Sequence, residues 1–181
     1  GGLQEVLSRS KKPILYMPYS YPELIGEPPS DRADSDWLKL LDQYTPMVSE
    51  LIRKKEPVAV SHIGYSTGTI EDITFEQSLI IPTSKGLVII TGCAHTGIAG
   101  IVKHAKTLMN QDVYLVLGGF HLVSTDPAEM EDIVQDMRKL TKLIAPCHCT
   151  GDKAINIFRN VFKEDYIDIK AGVKIRISNS I

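Results

Sequence analysis

The stretch Gly86–Gly119, GLVIITGCAHTGIAGIVKHAKTLMNQDVYLVLGG, decides the architecture. It opens with the apolar run GLVIIT and passes through a glycine-rich segment. It then places Ile98, Ile101, Val102, Ala105 and Leu108 on one side of a helix. A second apolar run, VYLVLG, closes it, so the order is strand, helix, strand. Toward the C-terminus the alternation repeats. STDPAEMEDIVQDMRKLTK carries Ile133, Met137 and Leu140 at helical spacing, with Thr125 or Asp126 to cap it and Pro127 in its first turn. LIAP is a third apolar run, GDKAINIFRNVF a third helix, and YIDIKAGVKIRI is expected to close as a hairpin. Toward the N-terminus, EQSLIIPTSKGLVIITG reads as a hairpin turning at Thr83–Gly86, and VAVSHIGY as a strand. Strands alternating with helices indicate an α/β fold with a layered sheet.

The first part of the chain is less regular. Leu3, Val6 and Leu7 give a short helical face, followed by the strand-like PILYM. The segment 18–36 sets Pro18, Pro22, Pro28 and Pro29 among glycine, serines and acids and reads as a long surface loop, where function often resides. A helix is expected from Trp37 to Lys55, perturbed at Pro46. With 181 residues, 43% hydrophobic and 23% charged, the chain is expected to form one domain over 1–181. A net charge of -2 provides no broad positive field for a nucleic-acid backbone or an anionic membrane. No apolar run approaches the roughly 20 residues that span a bilayer, and GGLQEVLSRSKKP has no signal-peptide core. The expected location is cytoplasmic. The three cysteines, an odd number, argue against a disulfide framework and toward metal or reactive chemistry.

The histidines carry the functional reading. His95 follows the first apolar run in TGCAHTG, His121 the second in GGFHL, and His148 the third in PCHCTG. All three fall just past the ends of successive strands, the rim of an α/β sheet where ligands and metals collect. Neutral imidazole is the commonest metal ligand at neutral pH, with zinc or iron its natural guest. A single histidine after a strand is more often a hydrogen-bonding residue, but three in phase point to a shared site. His104 lies mid-helix and reads as a surface residue, and His62 also ends an apolar run but outside any glycine motif of the kind that flanks the other three. Cys93, Cys147 and Cys149 read as small buried residues, expected to be reduced and near the site but not to ligate the metal. If His148 ends a strand, alternation turns both of its neighbouring cysteines away from it.

Three segments in order, SLIIPTSKGLVIITGCAHTGIAGIVKHA, VYLVLGGFHL and IAPCHCTGDKA, resemble the C-terminal half of metallo-β-lactamase-fold hydrolases. The likeness is to the branch around the ribofuranosylaminobenzene phosphate synthase of methanopterin biosynthesis, and it extends from about Ile70 to Ile177. The resemblance implies an αββα sandwich in which the residues matching His95 and His148 hold metal. GGFH stands where many relatives carry a bridging aspartate, so His121 either ligates or acts on the substrate. The fold's His-x-His-x-Asp-His cluster, followed in this branch by Thr-Gly-Gly-Leu, is absent, and the chain opens with GGLQEVL. The implied reading is therefore a fold lacking its N-terminal strands, with the cluster on a longer product or a separate polypeptide.

The expected function is that of a metal-dependent hydrolase or phosphate-chemistry enzyme using metal-activated water. His95 and His148 would hold a divalent metal, zinc or alternatively manganese or iron. Thr96 and Thr150 would fix geometry behind the ligands or bind an anionic group. The substrate would be a small phosphorylated or ester compound. Two other classes stand beside this one: a non-catalytic remnant or subunit needing an N-terminal partner segment, and a diiron redox protein. An uncovered sheet face would also favour self-association.

Overall fold

The computed structural model describes residues 2–19, 39, 42–71 and 75–177. Helix α1 (Leu3–Arg9) leads into β1 (Ile14–Pro18), which pairs in parallel with β2 (Glu50–Lys54) as a separate two-stranded sheet. β3 (Val58–Val60) and β4 (Gly64–Ser66) follow, then the short antiparallel pair β5 (Ile70–Glu71) and β6 (Phe75–Glu76). β7 (Leu79–Thr83) and β8 (Gly86–Ile90) form the expected hairpin. Its turn is tied by the Thr83 hydroxyl, which donates to the Gly86 carbonyl at 2.6 Å. Then β8, α2 (Ile98–Met109), β9 (Val113–Gly119), α3 (Pro127–Leu140), β10 (Thr141–Cys147) and α4 (Asp152–Phe162) alternate as the sequence requires. Asp126 caps α3 by accepting the Ala128 N–H at 2.9 Å, with Pro127 in the first turn.

The main sheet has six strands in the order β10-β9-β8-β7-β4-β3. Its β8, β9 and β10 are parallel neighbours, and the rest pair antiparallel. Leu87 pairs with Val113 but Val88 with Leu115, so Tyr114 is an extra residue relative to β8. One face meets α2, α3 and α4. Ile80, Leu87, Ile89, Val116 and Ile144 pack there against Ile101, Val102, Val134, Met137, Phe158 and Phe162. The other face presents Val88, Leu115 and Ala145, with half-buried Ile90, Leu117 and Leu143, and the segment carrying Ile167, Ile169, Ile175 and Ile177 lies against it. This mixed sheet with its helical layer is the α/β arrangement that the alternating pattern implies.

Four local expectations give way. The helix over Trp37–Lys55 does not run through: Pro46 sits in a 3-10 turn (Thr45–Met47), and Glu50–Lys54 is strand because it pairs with β1. VAVSHIGY is two strands, reversing at Ser61, whose φ is +56. The closing hairpin is a turn at Lys170–Val173 whose arms, among the described residues, do not pair with each other: Tyr166 bridges Ile144 of β10, and the isoleucines lie on the sheet face. Leu108 stays exposed on α2. Pro18 is the last residue of β1, while positions 20–36 of the proline-rich loop lie outside the described residues. No helix among the described residues is long and apolar enough to cross a membrane.

Phe158 joins the helical layer to the site end of β9, its ring centroid 5.4 Å from that of Phe120 and 6.0 Å from that of Phe162. Phe158→Ala is expected to cost about 3–5 kcal/mol of folding stability. The measurement is urea denaturation, with a lowered midpoint and an unchanged slope. A loss below about 1 kcal/mol would show that this aromatic stack does not join the two layers.

Candidate metal centre

Because β8, β9 and β10 are parallel neighbours, their C-terminal ends share one edge. Beyond β8 the chain runs closely over the end of β9. The Thr91 N–H donates to the Leu117 carbonyl at 2.9 Å and its hydroxyl to the Gly119 carbonyl at 3.0 Å, while the Gly119 N–H donates to Gly92 at 2.8 Å. A Cβ on Gly118, whose φ is +133, would strike the Thr91 carbonyl and hydroxyl. One on Gly119 would lie 2.6 Å from the Gly92 oxygen and 2.8 Å from Cys149 Sγ. The glycine pair is therefore what lets the loops after β8 and β10 meet over β9. Thr150 closes the arrangement from the other side. Fully buried, its hydroxyl accepts the Phe120 N–H at 3.1 Å and donates to the Cys147 carbonyl at 2.7 Å. Thr150 thus holds geometry and leaves no hydroxyl for substrate.

The three histidines occupy this rim. The rings of His95 and His121 meet edge to face with centroids 4.2 Å apart. Both line a cavity of about 230 Å³ together with Thr125 and Glu129. His148 stands with two cysteines: a ligand atom of Cys93, of His148 and of Cys149 all lie within 4.8 Å of one another. Each loop uses a left-handed, non-glycine residue to aim its side chains, at Ala94 (φ +61), His121 (φ +51) and His148 (φ +54). Such conformations cost on the order of 1 kcal/mol each and persist where surrounding structure imposes them, often at functional sites. The Thr96 N–H donates to Glu76 Oε1 at 2.6 Å, and its buried hydroxyl has no partner among the described residues. His62 is exposed in the β3–β4 turn and His104 is exposed on α2, both away from the rim.

The cysteines are free, as expected, but the expectation that Cys149 points away from His148 is corrected. His148–Thr150 is a 3-10 turn, so strand alternation stops at Cys147 and Cys149 comes round beside His148. The Cys149 thiol donates to the Cys93 carbonyl at 3.4 Å. Burial, reinforced by the neighbouring Cys149 thiol, pushes the Cys93 thiol up, and burial does the same for Cys147. Glu76 is the residue that sequence reasoning missed, since nothing in EQSL marks it. Cys93 and Cys149 were visible as residues but not as donors. Imidazoles, thiols and an orphaned threonine hydroxyl at one rim make a donor set that fits a divalent ion of borderline or soft character.

No family model matches the chain. A solved structure of a metal-dependent hydrolase of the β-lactamase superfamily superimposes with TM-score 0.65 and 29% identity, over 79% of this chain and 63% of that one. The fold is that of the metallo-β-lactamase superfamily. Within it, the chain is similar to the 7,8-dihydropterin-6-methyl-4-(beta-D-ribofuranosyl)-aminobenzene-5'-phosphate synthase of Methanocaldococcus jannaschii, 36% identical over 121 residues. That match covers 66% of this chain and 41% of the synthase, so the chain spans about two fifths of its relative's length. An uncharacterised protein of the same organism is 42% identical over 72 residues, 40% of this chain and 27% of that protein. The metallo-β-lactamase reading of the three quoted segments thus holds.

Thr150→Val keeps the shape but removes the acceptor for the buried Phe120 N–H. The expected loss is about 1–3 kcal/mol in urea denaturation, with Thr150→Ser retaining most of the stability. Equal stabilities for the two variants would show that the hydroxyl does not hold the β9 and β10 ends together.

Proposed function

We propose that this chain supplies the His95, His121 and His148 side of the metal centre of a hydrolase or related phosphate-chemistry enzyme. The observation that carries the reading is the contact of the His95 and His121 rings past the ends of β8 and β9, with His148 following the end of the neighbouring parallel strand β10. The similarity to a metal-dependent hydrolase supports it. The phosphate in the name of the synthase relative supports a small phosphorylated substrate, with a small ester the alternative.

His95 and His148 would hold the metal, zinc by donor type, with manganese or iron the alternatives. When bound, such an ion supplies water activation near neutral pH and charge neutralisation at a phosphoryl or carbonyl oxygen. His121 is exposed at the mouth of the cavity, where it can ligate or exchange a proton with substrate, and Glu129 faces the same space. Thr150 fixes the backbone one residue before His121, and the Thr96 backbone is anchored by Glu76 one residue after His95. These two imidazoles fall short of the three or four protein ligands that a tight site uses. The five histidines of the chain contain no His-x-His-x-Asp-His cluster. The remaining ligands would come from a segment bearing that cluster, which would also cover the half-buried face of the sheet.

The test measures metal content and phosphodiester turnover for the chain, alone and with such a segment added or fused. Expected are weak metal binding and no turnover alone, and metal-dependent turnover in the combined protein. His95→Ala or His148→Ala should weaken zinc affinity by at least about tenfold, as loss of even a supporting contact does. Bound iron with a visible band would favour the redox class instead. No metal in either form would favour a non-catalytic role.

A further inference from the structure

The metal-ligating atoms that group with that of His148 are thiol sulfurs. Its ring nitrogen, Cys93 Sγ and Cys149 Sγ come from two different loops, yet lie within 4.8 Å of one another. Two donors on a tetrahedral ion, with metal–sulfur near 2.3 Å and metal–nitrogen near 2.0–2.1 Å, are about 3.3–3.8 Å apart. Side-chain movements of at most about 1 Å would therefore bring all three onto one ion. The backbone already holds them together. Gly119 leaves the space that Cys149 Sγ fills, and the Cys149 thiol reaches the Cys93 carbonyl. The left-handed conformation of His148 turns the chain immediately before Cys149.

We propose that Cys93, His148 and Cys149 form a thiolate-bearing site for a thiophilic divalent cation. The inference rests on the reading of the rim as a metal centre and adds to it a ligand class, sulfur. Two thiolates and an imidazole select zinc, cadmium or cobalt over magnesium or calcium. Each thiol releases its proton to solvent as its metal–sulfur bond forms, because the ion's own charge reverses the effect of burial on the sulfur. His148 is exposed while both cysteines are half-buried, so the ion enters from the His148 side. Three protein donors leave a fourth position for water, substrate or a ligand from another segment. Cys147, one residue before the turn, is outside the trio.

Cobalt(II) tests this in the reduced chain, because thiolate ligation produces a near-ultraviolet charge-transfer band that nitrogen and oxygen ligands do not. Bound cobalt per chain and the band are measured for the unmodified chain, Cys147→Ser, His95→Ala and the double variant Cys93→Ser with Cys149→Ser. Circular dichroism checks that each is folded. At cobalt concentrations that saturate a weak site, the expected result is one cobalt and a strong band in the unmodified chain, the same in Cys147→Ser, and loss of the band in the double variant. A band that survives His95→Ala at full cobalt content would uphold this inference while counting against His95 as a ligand. Cobalt bound without any band, and released by His95→Ala, would overturn the inference and leave the hydrolase reading standing. The absence of bound cobalt from the unmodified chain would overturn the inference outright.

Discussion

Everything at the rim depends on the backbone contact between Thr91–Gly92 and Gly118–Gly119. Parallel strands end side by side about 4.8 Å apart, and loops leaving them ordinarily diverge. Here the chain after β8 is held to the end of β9 by three hydrogen bonds from Thr91 and Gly119, at a separation that no side chain on Gly118 or Gly119 would allow. The loop after β10 is drawn in by Thr150 and by Cys149 filling the space over Gly119. Three left-handed residues then aim the histidines and cysteines. The apolar layer behind, from Phe120 through Phe158 to Phe162, keeps this arrangement from relaxing.

Much of this was legible in the sequence, for definite reasons. Leu87–Thr91, Val113–Leu117 and Leu143–Pro146 are apolar on both faces, as strands buried between layers must be. The helix between the first two runs declares itself by Ile98, Ile101, Val102 and Ala105, all of which are buried. Placing His95, His121 and His148 at one rim follows from those strands alone. What was not legible depends on contacts between distant segments. Glu50–Lys54 looks helical until β1 is available to pair with it. Cys149 seems to point away from His148 until the strand is seen to stop one residue earlier. Glu76, on the short strand β6, meets Thr96 across 20 residues of sequence, and no local pattern announces it.

The fold places the chain among metallo-β-lactamase-like proteins, but a shared fold does not fix a reaction. What particularises this chain is its donor set. The His95 and His121 rings meet at the rim, and two cysteines lie beside His148. Soft donors next to imidazoles change which ion is preferred and how its charge is tuned, so metal identity and chemistry belong to one question here.

The central claim is that the strand ends gather metal-binding imidazoles at one rim, leaving the other histidines outside. Nitrogen-15 NMR of the five histidine rings, assigned by single substitution and followed through a zinc titration, tests it directly. The account predicts that the His95 and His148 rings shift together as zinc is added, while exposed His62 and His104 keep their positions. Zinc-dependent shifts at His62 or His104, with those of His95 and His148 unmoved, would contradict it.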